Sequence, residues 1–276
     1  MNVMYPSEGS YNFSAADAIV DFAVANDMNV HGHALIWQNS TPDWVKNFAG
    51  TDQKFEDMIE DYITKVVTRY KGKITSWDVV TEAFEDETGN LRNSVYRQKM
   101  GDDYIAKCYQ FVYAADPDVL IIYNDYNMIT NQTKQNAVFT MVDDFIARDI
   151  LIDGVGFQML ISHDYPAKAD IQTATDRIIE RNLKVPFSEL DVRVNPSKGI
   201  TSSTSDRYMS QKAKVKEVFE VYNSIPSVNK YALTVWGLKD SESWLIDFYG
   251  QQDWPLLFDG NCNKKDAYFG FLEGLQ

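Results

Sequence analysis

Short apolar runs alternate along this chain with longer stretches of helical period. Apolar, β-branched runs predict strands at residues 30–37, 74–80, 119–123, 154–159, 185–190 and 231–236. Helical periodicity predicts helices at residues 15–26, 55–70, 103–116, 134–148, 171–182, 206–224 and 266–272. Ser14 is the expected N-cap of the first helix, with Asp17 in its first turn. Asp116-Pro117 is expected to end the third, because the residue before a proline is pushed out of helical backbone.

Strand–helix alternation at this spacing predicts a parallel sheet with right-handed crossovers. The strands read as near-continuous apolar runs, as when helices cover both faces. Polar and aromatic residues gather just after each run: His33 and Trp37, Glu82, Asn124 to Asn127, Gln158, Glu189, and Trp236 to Ser241. In a (β/α)8 TIM barrel that end of the strands is the active face. Six strands are visible where a closed barrel needs eight. The expectation is therefore a barrel lacking its first two strands in this chain, with an open doubly wound sheet as the other solution. No linker, repeat or low-complexity tract divides the chain, so residues 1–276 read as a single domain, incomplete at its N-terminus.

Composition narrows the partners. The net charge of −14 argues against nucleic acid and anionic membranes, and no run approaches a membrane span. A neutral polymer is compatible. The aromatic fraction of 13%, with 16 Tyr and 6 Trp, supplies either a large core or stacking surfaces for sugar rings. Two cysteines, Cys108 and Cys262, form no framework. Met1 to Ser10 do not read as a signal peptide, because they lack its basic and apolar regions in sequence.

Two glutamates close apolar runs. Glu82 ends Ile74-Thr75-Ser76-Trp77-Asp78-Val79-Val80-Thr81-Glu82, and Glu189 follows Val185-Pro186-Phe187-Ser188. A carboxyl at the mouth of a buried strand is costly unless it is solvated, hydrogen-bonded or useful. Two of them on a strand–helix repeat suggest the paired carboxylates of glycoside hydrolysis; acidic residues that merely end surface strands are the bland reading. His31 and His33 point to one side of a strand. They read as packed histidines, as a sugar contact or as a metal pair, and a metal site needs further ligands. Trp37, Tyr126, Trp236 and Trp244 fit either a core or sugar-stacking faces, and Gln158 suits sugar hydroxyls.

The chain resembles the glycoside hydrolase family ten endo-xylanases from about Asn2 to its C-terminus. Trp77-Asp78-Val79-Val80-Thr81-Glu82-Ala83-Phe84 resembles the family's acid/base motif, and Ser188-Glu189-Leu190-Asp191 its nucleophile motif. His31-Gly32-His33-Ala34-Leu35-Ile36-Trp37 resembles its third strand, Asn124-Asp125-Tyr126-Asn127 its fifth, and Thr234-Val235-Trp236-Gly237-Leu238-Lys239-Asp240-Ser241 with Trp244 its eighth and a sugar platform. Leu256-Leu257-Phe258-Asp259 with Ala267-Tyr268 resembles its closing segment. The resemblance implies a retaining endo-1,4-β-xylanase without metal or cofactor. Glu189 is then the nucleophile and Glu82 the acid/base. His33, Trp37, Thr81, Tyr126, Gln158, Trp236 and Trp244 are the implied substrate-binding residues. Asp78 and Asp191 are expected supports. The implied partner is xylan or a xylo-oligosaccharide, and the implied protein is a secreted or periplasmic monomer.

Four departures stand out: Thr81 in place of an Asn that contacts the sugar, Leu160 in place of a His that bonds the nucleophile, Gln38 in place of a His, and the absent first strands. His163 lies three residues past Leu160, not at the same position, and is expected to reach the same cleft. Two readings follow: an active xylanase with a modified proximal sugar site, or a relative that binds xylan-type polysaccharide without efficient hydrolysis.

Overall fold

The computed structural model describes residues 1–276. Contacts divide them into two compact units, Met1–Asp125 with Thr133–Gly154, and Tyr126–Gln132 with Val155–Gln276.

The first unit holds strands β1 (Val30–Gly32), β2 (Ile36–Trp37), β3 (Ile74–Thr81) and β4 (Leu120–Asp125). β3 lies at the centre, with β1, β2 and β4 all parallel to it. Every residue of β3 but Thr75 is buried, which explains its unbroken apolar reading. Helices α1 (Ser14–Ala25), α2 (Asp43–Lys46), α3 (Asp52–Arg69), α4 (Val95–Met100), α5 (Tyr104–Ala115) and α6 (Gln132–Ala147) surround these strands in the chain. α3 buries Phe55, Ile59, Tyr62, Ile63, Val66 and Val67 along one stripe, and the Thr51 hydroxyl caps it by accepting from the Lys54 amide.

Three expectations change here. The predicted strand at 30–37 is two strands. Gly32 pairs with Trp77 and Ile36 with Val80, so the β1–β2 segment carries one residue more than β3 opposite it. The Leu35 amide crosses that gap to the Asp78 carbonyl at 3.0 Å. Gly32 is required, because a Cβ there would stand 2.1 Å from the Trp77 ring. Secondly, Ser14 is not the cap of α1. It is the first helical residue, and Asn12 Oδ1 accepts both its amide, at 3.2 Å, and its hydroxyl, at 2.7 Å. Thirdly, short helices appear where the sequence showed none, because a run of four to six residues is too brief to display a 3.6-residue period. The third predicted helix, α5, does end at an extended Asp116.

The second unit holds β5 (Gly154–Ser162), β6 (Val185–Arg193) and β7 (Lys230–Val235), again parallel, with β6 between its neighbours. Helices α7 (Lys168–Ile179), α8 (Ser205–Ser224), α9 (Trp244–Tyr249) and α10 (Asp266–Gly274) alternate with them. α8 and α10 pack closely. A Cβ on Gly270 would meet the Lys212 carbonyl oxygen at 2.3 Å, and Phe219 and Phe271 meet edge to face at 4.7 Å. No residue of β7 is fully buried, unlike those of β6, where only Arg193 is partly exposed.

Candidate active site

In the first unit the side chains converge at the C-terminal end of β3. Glu82 directly follows the strand in left-handed backbone, φ 56°. Such a conformation is costly for a residue with a Cβ and persists only where neighbours enforce it. They do so here at each peptide group. The Glu82 amide donates to the Asn124 carbonyl at 3.2 Å. The Glu82 carbonyl accepts from Gln38 Nε2 and Arg92 Nε, each at 3.1 Å. The next amide, Ala83, donates to the Tyr123 hydroxyl at 3.0 Å. The carboxylate accepts from Asn39 Nδ2 at 3.3 Å and is nine-tenths buried. Thr81 is buried, and its hydroxyl donates to the Asn124 carbonyl at 2.6 Å.

Beneath this lies a buried network. Tyr123 donates to Asp125 Oδ2 at 2.6 Å, and Asp125 Oδ1 pairs with Lys134 Nζ at 2.6 Å. Lys134 also pairs with Asp86 at 2.9 Å. Tyr123, Asp125 and Lys134 have no solvent exposure. Burial pushes Asp125 up to about 6, against the pull of the Lys134 ammonium and the Tyr123 hydroxyl.

Asp78 collects both histidines. Its Oδ2 lies 2.8 Å from His33 Nδ1, 3.2 Å from His31 Nε2 and 3.0 Å from Asn124 Nδ2. Burial alone would raise this carboxyl, but His31 and His33 outweigh burial and hold it well below the usual carboxylate range. His31 Nδ1 meets Ser76 Oγ at 2.6 Å. The pair is thus anchored on one carboxylate, and no three His, Cys, Asp or Glu form a set fit for a metal ion. The ring of Trp37, partly buried, lies 6.1 Å from that of His33.

In the second unit Glu189 lies inside β6, also left-handed, φ 55°. The register shows why. Gln158 pairs with Ser188, and Leu160 with Asp191, so β6 carries an extra residue at this point. A bulge of this kind re-aims a side chain. Glu189 is 6% exposed and Gln158 5%. Leu160, where the sequence departs from the resemblance, faces the same side of the sheet as Asp191, its register partner. Asp191 is buried and accepts the Trp244 indole N–H at 2.7 Å. Burial pushes its carboxyl up to about 7. Trp236 is exposed beyond β7, and its amide donates to the Leu190 carbonyl at 2.9 Å. Tyr126 is half-buried.

His163 does not take the missing position. Its Nδ1 meets Ser210 Oγ at 3.1 Å and its Nε2 faces Arg207 Nη1 at 3.3 Å, so it is held by α8. Because arginine cannot lose its proton, Nε2 is the acceptor and Nδ1 carries the hydrogen.

Asn39, Arg92 and Lys134 escaped the sequence reading, and Gln38 was seen only as a departure. Lys134 left a usable signal: it falls on the stripe continued by Val138, Val142 and Phe145, and a lysine on a buried stripe needs a partner. Asn39 and Arg92 lie in loops, where spacing indicates no direction.

Parallel strands alternating with helices, a carboxylate in left-handed backbone after β3 in one unit and in the β6 bulge in the other, and neutral hydrogen-bonding and aromatic groups nearby define an α/β protein of glycosidase type. The family description Glycosyl hydrolase family 10 matches residues 1–274, and the chain belongs to that family. Its fold is accordingly of the (β/α)8-barrel class. Endo-beta-1,4-xylanase Xyn10C of Cellvibrio japonicus is 40% identical over 298 residues, covering 100% of this chain and 49% of the relative. Endo-1,4-beta-xylanase B of Thermotoga neapolitana is 34% identical over 273 residues, covering 99% and 77%. A mutant xylanase10C from Cellvibrio japonicus in complex with xylopentaose superposes with a TM-score of 0.94 at 40% identity, covering 100% of this chain and 60% of that one. The chain therefore spans about half the length of Xyn10C.

Proposed function

We propose that this chain is a retaining endo-1,4-β-xylanase domain that hydrolyses internal β-1,4 bonds of xylan. One observation carries the reading: both glutamates that match the family motifs are held in left-handed backbone within or directly after a buried strand, Glu82 after β3 and Glu189 in the β6 bulge. Strain at chosen side chains is characteristic of functional positions. The names of the relatives as endo-xylanases, and the xylopentaose bound by one, support the substrate class.

In this reading the Glu189 carboxylate attacks the anomeric carbon and forms a covalent glycosyl-enzyme, while Glu82 protonates the departing oxygen. Glu82 then takes a proton from water, which attacks the anomeric carbon and releases Glu189. His33, Trp37, Gln158, Tyr126, Trp236 and Trp244 bind the sugar rings. Thr81, which the resemblance implies as a sugar contact, is instead buried, and its hydroxyl donates to the Asn124 carbonyl that also receives the Glu82 amide. By resemblance to its family we propose that the enzyme is secreted or periplasmic and works as a monomer. No helix is long and apolar enough to cross a membrane.

Reducing-sugar release from xylan tests the reading, with binding measured in parallel. Glu82→Gln and Glu189→Gln should each lower release by a factor of about a thousand or more while xylan binding persists. Hydrolysis at the parent rate in both variants would refute the assignment. A parent chain that binds xylan without releasing sugar would instead identify the non-hydrolysing relative, a reading that rests on Thr81 and Leu160.

A further inference from the structure

The sequence-matched glutamates do not explain why a lysine with no solvent exposure sits under one of them. Lys134 Nζ lies 2.6 Å from Asp125 Oδ1 and 2.9 Å from Asp86 Oδ1. Asp125 Oδ2 accepts the Tyr123 hydroxyl at 2.6 Å, and the oxygen of that hydroxyl accepts the Ala83 amide at 3.0 Å. The chain of contacts runs unbroken from the ammonium to the peptide that fixes ψ of Glu82. Burying Lys134 and Asp125 together is costly and often gains little over an apolar core, whereas Asp86 stays partly exposed. The same Glu82–Ala83 peptide is held on its carbonyl side by Gln38 Nε2 and Arg92 Nε, and Tyr123 supplies the contact on its amide side.

We infer that Lys134, Asp125 and Tyr123 form a mount that holds the Glu82–Ala83 peptide, and through it the acid/base carboxylate, in its working orientation. Lys134 and Tyr123 are positioning residues, acting through Ala83 and without touching substrate. The inference rests on the reading of Glu82 as acid/base. The orientation matters because misplacing a catalytic group by about 1 Å costs about a hundredfold in rate. It matters unequally among substrates. A sugar or other poor leaving group needs the proton, whereas a dinitrophenolate departs without it.

The test compares Tyr123→Phe, Lys134→Met and Glu82→Ala on xylotetraose and on dinitrophenyl xylobioside, with and without azide. Circular dichroism and thermal unfolding check that each variant folds. Tyr123→Phe deletes one oxygen and decides the matter alone if Lys134→Met does not fold. The expected result is a kcat loss of about tenfold to a hundredfold on xylotetraose with KM little changed. The pre-steady-state release of dinitrophenolate should be nearly unaffected. Azide, which needs no general base to attack the glycosyl-enzyme, should restore turnover of the dinitrophenyl substrate in the Tyr123 and Glu82 variants alike. Equal losses on both substrates, with no azide effect, would overturn the mount while Glu82→Ala still shows the leaving-group dependence. If Glu82→Ala lacks that dependence as well, the acid/base reading itself fails and the inference with it.

Discussion

The Trp244 indole N–H donates to Asp191 Oδ2 at 2.7 Å, joining the first turn of α9 to the strand that carries Glu189. Asp191 is buried, and burial pushes its carboxyl up to about 7. An unfolded aspartate titrates near 4. Between those values the folded protein holds more protons than the unfolded chain, so stability falls as pH rises through that window. Asp191→Asn keeps an oxygen for the indole but cannot ionise. Its melting temperature should fall less than that of the parent between about pH 4 and pH 8, leaving the variant more stable at the upper end by a few kcal/mol. Parallel curves would show that Asp191 is already ionised or already solvated.

Asp78 has the opposite sign. His31 and His33 outweigh the cost of burial and hold its carboxyl below the usual range. A depressed folded value contributes stability above the unfolded one, near 4, and that stability is lost as pH falls through the folded value. Asp78→Asn should therefore cost about 3 kcal/mol at neutral pH, because both histidines lose a buried charge. The deficit should narrow as the solution is acidified below about pH 4. Denaturant midpoints at several pH values check this. A deficit that grows on acidification contradicts the assignment. Activity should fall too, since His33 loses the contact that sets its ring.

How far the residues themselves announced this arrangement differs by layer. β3, β4, β5 and β6 were legible because both-face burial leaves long apolar runs, and α3 because Phe55 to Val67 keep one stripe. The break after Gly32 was not, since it depends on the Trp77 ring across the strand pair. Glu82 was legible as a carboxyl at a strand end, whereas Glu189, expected to close its run, lies inside β6, which continues to Arg193. Their left-handed backbone was not legible, because it is enforced by Gln38, Arg92 and Asn124 for the one and by a register slip against β5 for the other. Ser14 misled for a related reason: an N-cap signal is read from residue type, yet the helix starts one residue earlier and Asn12 Oδ1 takes the amide and hydroxyl of Ser14 itself. Contacts over forty positions or more, such as Asn39 to Glu82, leave no periodic trace.

Leu160 and Asp191 are register partners and face the same side. A histidine at 160 would set an imidazole beside the Asp191 carboxyl, and a nearby cation favours the ionised form. Leu160 is only half-buried, so the exchange need not bury a new polar group. Leu160→His should then flatten the decline in stability from acid to neutral pH. Its effect should vanish in an Asp191→Asn background, giving a coupling on the order of 1 kcal/mol in a double-mutant cycle. Additive effects would show that the two side chains do not meet.

Lys265 fixes the turn that delivers Trp244. Its ammonium meets Asp240 Oδ2 at 2.8 Å, the Trp254 carbonyl at 2.7 Å and the Leu256 carbonyl at 2.8 Å. Asp240 in turn accepts the Leu256 amide at 2.8 Å, and its carbonyl accepts the Ser243 amide at 3.2 Å just before α9. Burial raises Asp240 and lowers Lys265, so each charge is sustained by the other. Removing one partner strands the other, which typically costs about 3–5 kcal/mol, whereas removing both leaves no stranded charge. Lys265→Met should lower the melting temperature sharply and raise KM for xylo-oligosaccharides through a loosened Trp244. Adding Asp240→Asn should recover part of the stability but little of the KM, because the neutral pair no longer ties residue 240 to the strap at 254–256. Recovery of both together would mean that the charges matter only to folding and that Trp244 is held by Asp191 alone.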